Sequence, residues 1–224
     1  MDQNKESWND IYNEGESYMQ YPNEALVVSY HRIKNKLPNK VSCLDYGFGS
    51  GNNSEFIISK VEDFYGLEIS ESAKEITSHR LDKFQNFDSK NLYISENKYI
   101  NKFENKFDLI VAWHVISYNT HESIQEVIEH FYKYLKNGGI LITSLATPRD
   151  ISKKYSEEID HNTFKIDSNI IGQEGCIVVI PKDAEDFKNY FHKYKTLDIG
   201  HEERMSYEKA NDLHSHYYGI FQKV

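Results

Sequence analysis

The feature that most constrains the fold is a short apolar segment followed at once by three closely spaced glycines. Residues 41–46, VSCLDY, have the composition of a buried strand, and GFGSGN follows at 47–52. Glycine adopts backbone conformations that other residues avoid, and it lets other groups approach the chain closely. A strand that ends in such a turn and leads into a helix is typical of anion- or cofactor-binding sites, because the helix N-terminus offers free N–H groups.

Strand-like and helix-like segments alternate through the first two thirds of the chain. A helix is predicted over 53–61, a second strand over 63–70, and then a helix with Ser70 as its N-cap. A weaker third strand at 91–95, an apolar fourth at 106–116, a helix at 121–136 that stops at Asn137-Gly138-Gly139, and a fifth strand at 140–146 follow. This order predicts βαβ units and a doubly wound, parallel α/β sheet.

The ends of the chain complete one domain of residues 1–224. A helix near 26–37 places an N-terminal helical cap at 1–40, ahead of a cofactor-binding core at 41–146. Residues 147–176 are polar and leave their secondary structure open, so 147–180 is a candidate substrate lid beyond the fifth strand. A helix around Phe187 and two strands near 195–205 and 214–223 are expected to close the domain at 181–224.

Composition argues against several classes of protein. The net charge is −9 and no Lys/Arg cluster stands out, so a nucleic-acid partner is not expected. The sequence has no apolar stretch of membrane-spanning length, and its charged beginning does not resemble a secretory signal, so we expect a cytoplasmic protein with no membrane partner. Cys43 and Cys176 do not form a metal-site spacing and are expected to be reduced structural thiols.

Two carboxylates near the glycine turn narrow the choice of ligand. In the spacing Gly47-x-Gly49-x-Gly51 the third glycine comes one residue earlier than in the G-x-G-x-x-G pattern of dinucleotide-binding enzymes, which counts against a nucleotide-dependent oxidoreductase. The phosphate-binding P-loop pattern is also absent from this segment. Asp45 can meet an ammonium group, and Glu68, at the end of the second strand, can accept both hydroxyls of a ribose. S-adenosylmethionine has an amino-acid part and a ribose but no phosphate, and it fits this pair.

Four segments resemble the class I S-adenosylmethionine-dependent methyltransferases. They are CLDYGFGSGN (43–52), GLEIS (66–70), FDLIVAWHVISY (107–118) and YLKNGGILITS (134–144), in the family's order. The resemblance implies a Rossmann-like, doubly wound α/β sheet, mostly parallel with an antiparallel last strand and with helices on both faces. It also implies S-adenosyl-L-methionine as the cofactor and S-adenosyl-L-homocysteine as its product.

The resemblance further implies the cofactor contacts. The first motif and its acid would hold the methionine part, the second-strand acid the ribose, and an acid or amide after the third strand the adenine amino group. The implied cofactor-binding residues are Asp45, Gly47, Phe48, Gly49, Gly51, Asn52, Glu68, Ile69, Glu96, Asn97, Trp113, His114 and Tyr18.

The methyl acceptor is expected to be a small molecule, with oxygen favoured over nitrogen. The motifs of amino-methylating nucleic-acid enzymes, cytosine-C5 enzymes and catechol-type metal-dependent enzymes do not occur at the matching positions. Residues 8–22 resemble the lead-in of small-molecule members, which makes Tyr12 and Tyr21 candidate substrate contacts, with terminal packing as the alternative reading. Arg149 is a third candidate. A small-molecule N-methyltransferase and a methyltransferase-like binding protein without turnover remain open, as do a monomer and a homodimer.

The histidines suggest two further hypotheses. His114, at the end of the fourth strand, is a candidate catalytic base for a hydroxyl acceptor, although the sequence favours a histidine that stacks under adenine or binds backbone. His201, His214 and His216, with Glu202 and Glu203, have a spacing that metal ligands also show, because strand residues two apart share a face. The spacing is not specific to metal sites, so a polar strand edge is the favoured explanation and no metal is expected.

Overall fold

A computed structural model describes residues 2–15, 17–94, 99–167, 173, 175–205 and 213–224, without the side chains of residues 2–4 and 6. The described helices are α1 (Asp2–Asn13), α2 (Glu24–Ile33), α3 (Asn52–Ile58), α4 (Glu71–Leu81), α5 (His121–Tyr134), α6 (Ile151–Lys154) and α7 (Ala184–Asn189). The described strands are β1 (Ser42–Tyr46), β2 (Asp63–Glu68), β3 (Leu92–Ile94), β4 (Phe107–Ala112), β5 (Leu135–Ala146), β6 (Ser156–Asp160), β7 (Thr163–Ile166), β8 (Ile177–Val179), β9 (Tyr194–Met205) and β10 (Leu213–Lys223).

Seven strands form the main sheet, in the order β3-β2-β1-β4-β5-β10-β9. The first five are parallel to one another, and β10 lies between β5 and β9, antiparallel to both. Strand order therefore reverses at β1, where the chain crosses to β4 on its other side. This confirms the predicted doubly wound α/β sheet with an antiparallel last strand.

Helices cover both faces of the sheet, as β4 shows most directly. Ile110 and Ala112 pack in an apolar cluster that includes side chains of α5 and α7, whereas Leu109 and Val111 pack in a second cluster with α2, α3 and α4. All six residues of β4 are buried. A strand buried on both faces is almost continuously apolar, which explains why this segment stands out in the sequence. Its one charged residue, Asp108, accepts hydrogen bonds from Ser42 N and Lys136 Nζ.

The predicted N-cap at Ser70 is confirmed, and two further helices start at capping side chains. Ser70 accepts a hydrogen bond from the backbone N of Ala73 as the N-cap of α4, and Thr120 and Asn23 cap α5 and α2 in the same way. Each cap binds one of the backbone N–H groups that a helix start leaves free. The helix expected near 26–37 is α2, which ends at Ile33 and continues as a 3-10 turn at Lys34–Lys36.

The boundary between α5 and β5 differs from the prediction. The helix ends at Tyr134 instead of reaching residue 136, and the strand begins at Leu135 instead of residue 140. Leu135 pairs with Phe107 of β4, and the register then shifts before Leu109 pairs with Ile140. Pairing with β4 thus ends the helix before the glycines do.

Residues 147–176, whose secondary structure the sequence left open, contain regular elements. α6 is followed by β6, β7 and β8, which form a separate antiparallel sheet. A third apolar cluster, which includes Ile151, Phe164 and Val178, fixes this unit beyond the end of β5. Among the described residues, every helix is too short or too polar to cross a membrane.

Candidate functional site

The glycine turn lies between β1 and α3, at the point where strand order reverses. Gly47 and Gly49 have φ values of 69° and 51°, in the left-handed region that favours glycine, and the N–H of Gly47 donates to Leu67 O at 2.7 Å. A Cβ on Gly47 would overlap the side chain of Val115, and one on Gly49 would overlap the hydroxyl of Tyr12. Two other parts of the chain therefore press directly on the turn.

Asp45 is a buried carboxylate at the end of β1, only 3% exposed. Its Oδ2 accepts a hydrogen bond from Ser54 Oγ at 2.6 Å, and its Oδ1 accepts none from the described residues. Burial raises the pKa of Asp45 from 3.8 to about 7; the hydrogen bond from Ser54 opposes this rise and the charge of Glu68 adds to it. A ligand cation at this point would meet a carboxylate whose ionisation it can stabilise.

Glu68 joins β2 to the glycine turn. Its Oε2 accepts the backbone N–H of Gly49 at 3.0 Å, and its Oε1 accepts those of Ile69 and Ser70 at 2.7 and 3.2 Å. Burial raises the pKa of Glu68, and these three hydrogen bonds lower it. A carboxylate oxygen has two lone pairs, so Oε2 keeps acceptor capacity for a ligand hydroxyl.

The N-terminal helix α1 covers the turn. Tyr12 reaches Gly49, and Trp8 packs edge-on against Tyr118 with ring centroids 5.0 Å apart. At the same place Ser70 Oγ donates to Asn9 Oδ1 at 2.7 Å. Burial, followed by the charge of Glu68, raises the pKa of Tyr12 above its ordinary value, so its hydroxyl is neutral over the working pH range.

The segment after α1 lies along the outside of the same turn. The ring of Tyr18 stacks under Arg80, whose guanidinium carbon lies 4.9 Å from the ring centroid. Tyr21 is 77% exposed, and its carbonyl accepts a hydrogen bond from Asn52 Nδ2 at 3.0 Å. Tyr18 and Tyr21 therefore lie at the rim, whereas Tyr12 lies inside.

These residues fit the methionine and ribose parts of S-adenosylmethionine. Asp45 and Glu68 each retain an acceptor beside a turn that only glycine can form without displacing its neighbours. The side chains of Phe48 and Trp113 point into the core, so any contact from Phe48 would come from its backbone. Glu96 and Asn97, expected at the adenine, lie outside the described residues.

The loop after β4 brings His114 next to the glycine turn. His114 has a φ of 54°, which is unusual for a residue other than glycine, and its N–H donates to Ser144 Oγ at 2.9 Å. Its neighbour Val115 is the side chain that presses on Gly47. Strained backbone of this kind is concentrated at functional sites.

His114 belongs to a polar cluster with Glu202 of β9 and His216 of β10. Its Nε2 donates to Glu202 Oε1 at 3.0 Å, and its ring stacks on that of His216 with centroids 3.9 Å apart. Cross-strand pairing of His216 with Glu202 puts both side chains on one face of the sheet. Burial, then the positive neighbours led by His114, lowers the pKa of His216 well below its ordinary value.

Arg149 lies in a different group of polar side chains, on the other face of β9 and β10. Its Nη1 lies 3.0 Å from Glu203 Oε1. The hydroxyl of Ser215 donates to the same oxygen at 3.2 Å and lies 3.0 Å from His201 Nε2. Arg149 thus has an acidic partner within the chain. Its role at the substrate stays a prediction.

Sequence reasoning named the members of the His114 cluster without grouping them. The spacing of His214 and His216 predicted that both lie on one face of the sheet, and this is the face that carries the cluster. His201 pairs with Tyr217 and so lies on the opposite face. Glu202 alternates with His201 along β9 and is the residue that reaches His114. Only the register of two antiparallel strands decides between them.

Comparisons with known proteins agree with this arrangement. Residues 44–141 match the family model of a methyltransferase domain. A search of curated protein sequences finds no match. Many solved structures share the fold at low sequence identity.

One is a SAM-dependent methyltransferase from Methanosarcina mazei, 16% identical over 87% of this chain and 98% of that one, with a TM-score of 0.67. A second, from Anabaena variabilis, is 14% identical over 98% and 95%, with a TM-score of 0.67. A third, the N-methyltransferase NodS from Bradyrhizobium japonicum in complex with S-adenosyl-L-homocysteine, is 14% identical over 90% and 88%, with a TM-score of 0.61. Over residues 44–141 the chain therefore matches a methyltransferase domain, and its fold is that of the class I S-adenosylmethionine-dependent methyltransferases.

Proposed function

We propose that the chain is an S-adenosylmethionine-dependent methyltransferase that acts on a hydroxyl oxygen of a small molecule. The observation that carries the proposal is the position of His114. It is hydrogen-bonded to Glu202, and the next residue, Val115, packs against Gly47 of the glycine turn. When bound, S-adenosylmethionine supplies a methyl group on a sulfonium, which an oxygen can attack in line. The chain must hold the acceptor in that line and take up the hydroxyl proton.

His114 is suited to the proton transfer. Glu202 is the acceptor for the hydrogen on Nε2, so Nδ1 keeps its lone pair and can take up the proton. The carboxylate then stabilises the imidazolium that forms. Asp45, Gly47, Gly49, Glu68 and the backbone of Ile69 are the proposed cofactor contacts.

Enclosure of the site supports a small acceptor. α1 covers the glycine turn through Tyr12, and the unit at residues 147–180 lies beside the loop after β4, where Val179 N donates to Ser117 O at 2.6 Å. We propose that this unit is the acceptor-side lid. A nitrogen acceptor is the alternative, favoured by the fold likeness to the N-methyltransferase NodS.

The test pairs acceptors that differ only in the attacking atom. Phenols, hydroxy acids and sugars are each incubated with their amine analogues, the protein and S-adenosylmethionine carrying a deuterated methyl, and mass spectrometry detects the transferred label. We expect label on the hydroxyl member of at least one pair, and a loss of at least about 100-fold in His114→Gln with unchanged S-adenosylhomocysteine affinity. Transfer to the amine members alone would contradict the oxygen assignment. Cofactor binding without transfer to any member would favour a protein that binds without turnover.

A further inference from the structure

We propose that His114, Glu202 and His216 bind a divalent transition-metal ion of the zinc type, which holds the acceptor's hydroxyl oxygen. The inference deepens the proposed function, and its catalytic part rests on that function. Two imidazoles and one carboxylate are a common three-ligand set for a metal site with an open fourth position. Their ligand atoms already lie within 4.8 Å of one another.

The three ligand atoms are close enough to share an ion once one histidine ring changes its orientation. Zinc binds imidazole nitrogen and carboxylate oxygen at about 2.0–2.2 Å, which places tetrahedral ligands about 3.4 Å apart. His114 Nε2 and Glu202 Oε1 are 3.0 Å apart and are compatible with this geometry as they stand. The two imidazole rings are stacked with planes 25° apart, and the lone pair of each nitrogen lies in its ring plane, so the His216 ring must rotate out of the stack to share an ion with His114.

The surroundings hold the three ligands in place. The strained backbone of His114 is tied to Ser144 of β5, and paired strands β9 and β10 carry the other two ligands. Nδ1 of His216 lies 4.0 Å from Oδ2 of the buried Asp150, and Ser215 N donates to that same oxygen at 2.8 Å. Asp150 lies too far from His216 for a hydrogen bond, so the His216 ring is held by its strand and by stacking on His114.

The cation would take over the role of the base. It replaces the hydrogen that His114 Nε2 shares with Glu202, and as a Lewis acid it lowers the pKa of a bound hydroxyl. The hydroxyl proton leaves to water, the oxygen lone pair forms the new C–O bond, and the electron pair of the broken S–C bond stays on sulfur. No oxidant or reductant is needed.

The first test measures binding without any acceptor. The full chain is freed of metal with a chelator, dialysed and titrated with Zn²⁺ by calorimetry, with Mg²⁺ as a comparison, since Mg²⁺ prefers oxygen ligands. We expect one Zn²⁺ per chain, no Mg²⁺ binding, and affinity at least about tenfold weaker in each of His114→Gln, Glu202→Gln and His216→Gln. His201→Gln is the matched control, because His201 neighbours Glu202 on β9 but faces the other way, and it should keep full affinity.

Two results would overturn the inference. One is a triple variant that binds Zn²⁺ as the unaltered chain does, and the other is an equal loss in His201→Gln. Thermal melts of each variant show that the fold is kept. S-adenosylhomocysteine titration of the same samples separates the two proposals: zinc binding without cofactor binding would contradict the proposed function alone, and cofactor binding without zinc would contradict the metal site alone.

Discussion

Asp45 should make the cofactor-free protein less stable as pH rises. Its carboxyl is protonated in the fold up to a pKa of about 7, whereas in the unfolded chain it ionises near 3.8. Between these values unfolding releases a proton, so the free energy of unfolding falls by about 1.4 kcal/mol per pH unit. Across the whole interval the loss amounts to about 4 kcal/mol, and above pH 7 it is complete.

Asp45→Asn isolates this contribution. The amide oxygen can still accept the hydrogen bond from Ser54, and the group no longer titrates. Urea denaturation of both proteins without cofactor, in half-unit steps from pH 5 to 8, gives the free energy of unfolding at each pH. The variant should gain stability relative to the unaltered chain by about 3 kcal/mol between pH 5 and 7, then run parallel to it. Parallel curves throughout would refute a buried, protonated Asp45.

Three further predictions concern the glycine turn. Gly49→Ala should lower Tm more than Gly138→Ala, because Gly138 also has a positive φ (78°) but has open space around it. Adding Tyr12→Phe to Gly49→Ala should remove the extra loss of Tm, because the hydroxyl is then gone and the next ring atom lies 3.4 Å away. Equal Tm losses in the two glycine variants would contradict the contact with Tyr12. Binding of S-adenosylhomocysteine at pH 6 should release a proton from Asp45, measured by calorimetry in two buffers of different ionisation enthalpy, and Asp45→Asn should abolish that release. Glu68→Gln should lower the free energy of unfolding, measured by urea denaturation, by about 1–3 kcal/mol and should weaken cofactor binding. Both carboxylate oxygens accept backbone N–H groups, so in either orientation the amide NH2 of glutamine would face one of these donors. Unchanged stability would mean that the carboxylate does not hold the turn.

Features set by neighbours in the chain could be predicted from the sequence. The glycine turn, the N-cap Ser70 and the mostly apolar β4 depend on adjacent residues, and each occurs where the pattern predicted it, although β4 ends at Ala112 instead of reaching residue 116. The end of α5 could not be predicted, because pairing of Leu135 with Phe107 competes with helix continuation. Secondary structure in residues 147–176 could not be predicted, because β6 is almost wholly exposed and lacks an apolar pattern.

In the candidate site, too, the residues set by local motifs could be predicted, and those brought together from distant parts of the chain could not. Asp45 and Glu68 precede and follow recognisable local motifs, so their roles can be proposed from spacing alone. The cluster of His114, Glu202 and His216 joins three distant parts of the chain, and nothing local distinguishes Glu202 from Glu203. Strand register makes that choice, and register is fixed by pairing with β10.

The loop after β4 gives the glycine at position 47 a second explanation. The sequence suggests that the glycines make room for a cofactor, yet the atoms a Cβ on Gly47 would meet belong to Val115. The residue before Val115 is His114, held in a left-handed conformation by its bond to Ser144. A side chain at position 47 would therefore displace the loop that carries His114, and with it the pairing to Glu202. It follows that a glycine at position 47 is needed as much for the loop that carries His114, the proposed acceptor side of the site, as for the proposed cofactor side.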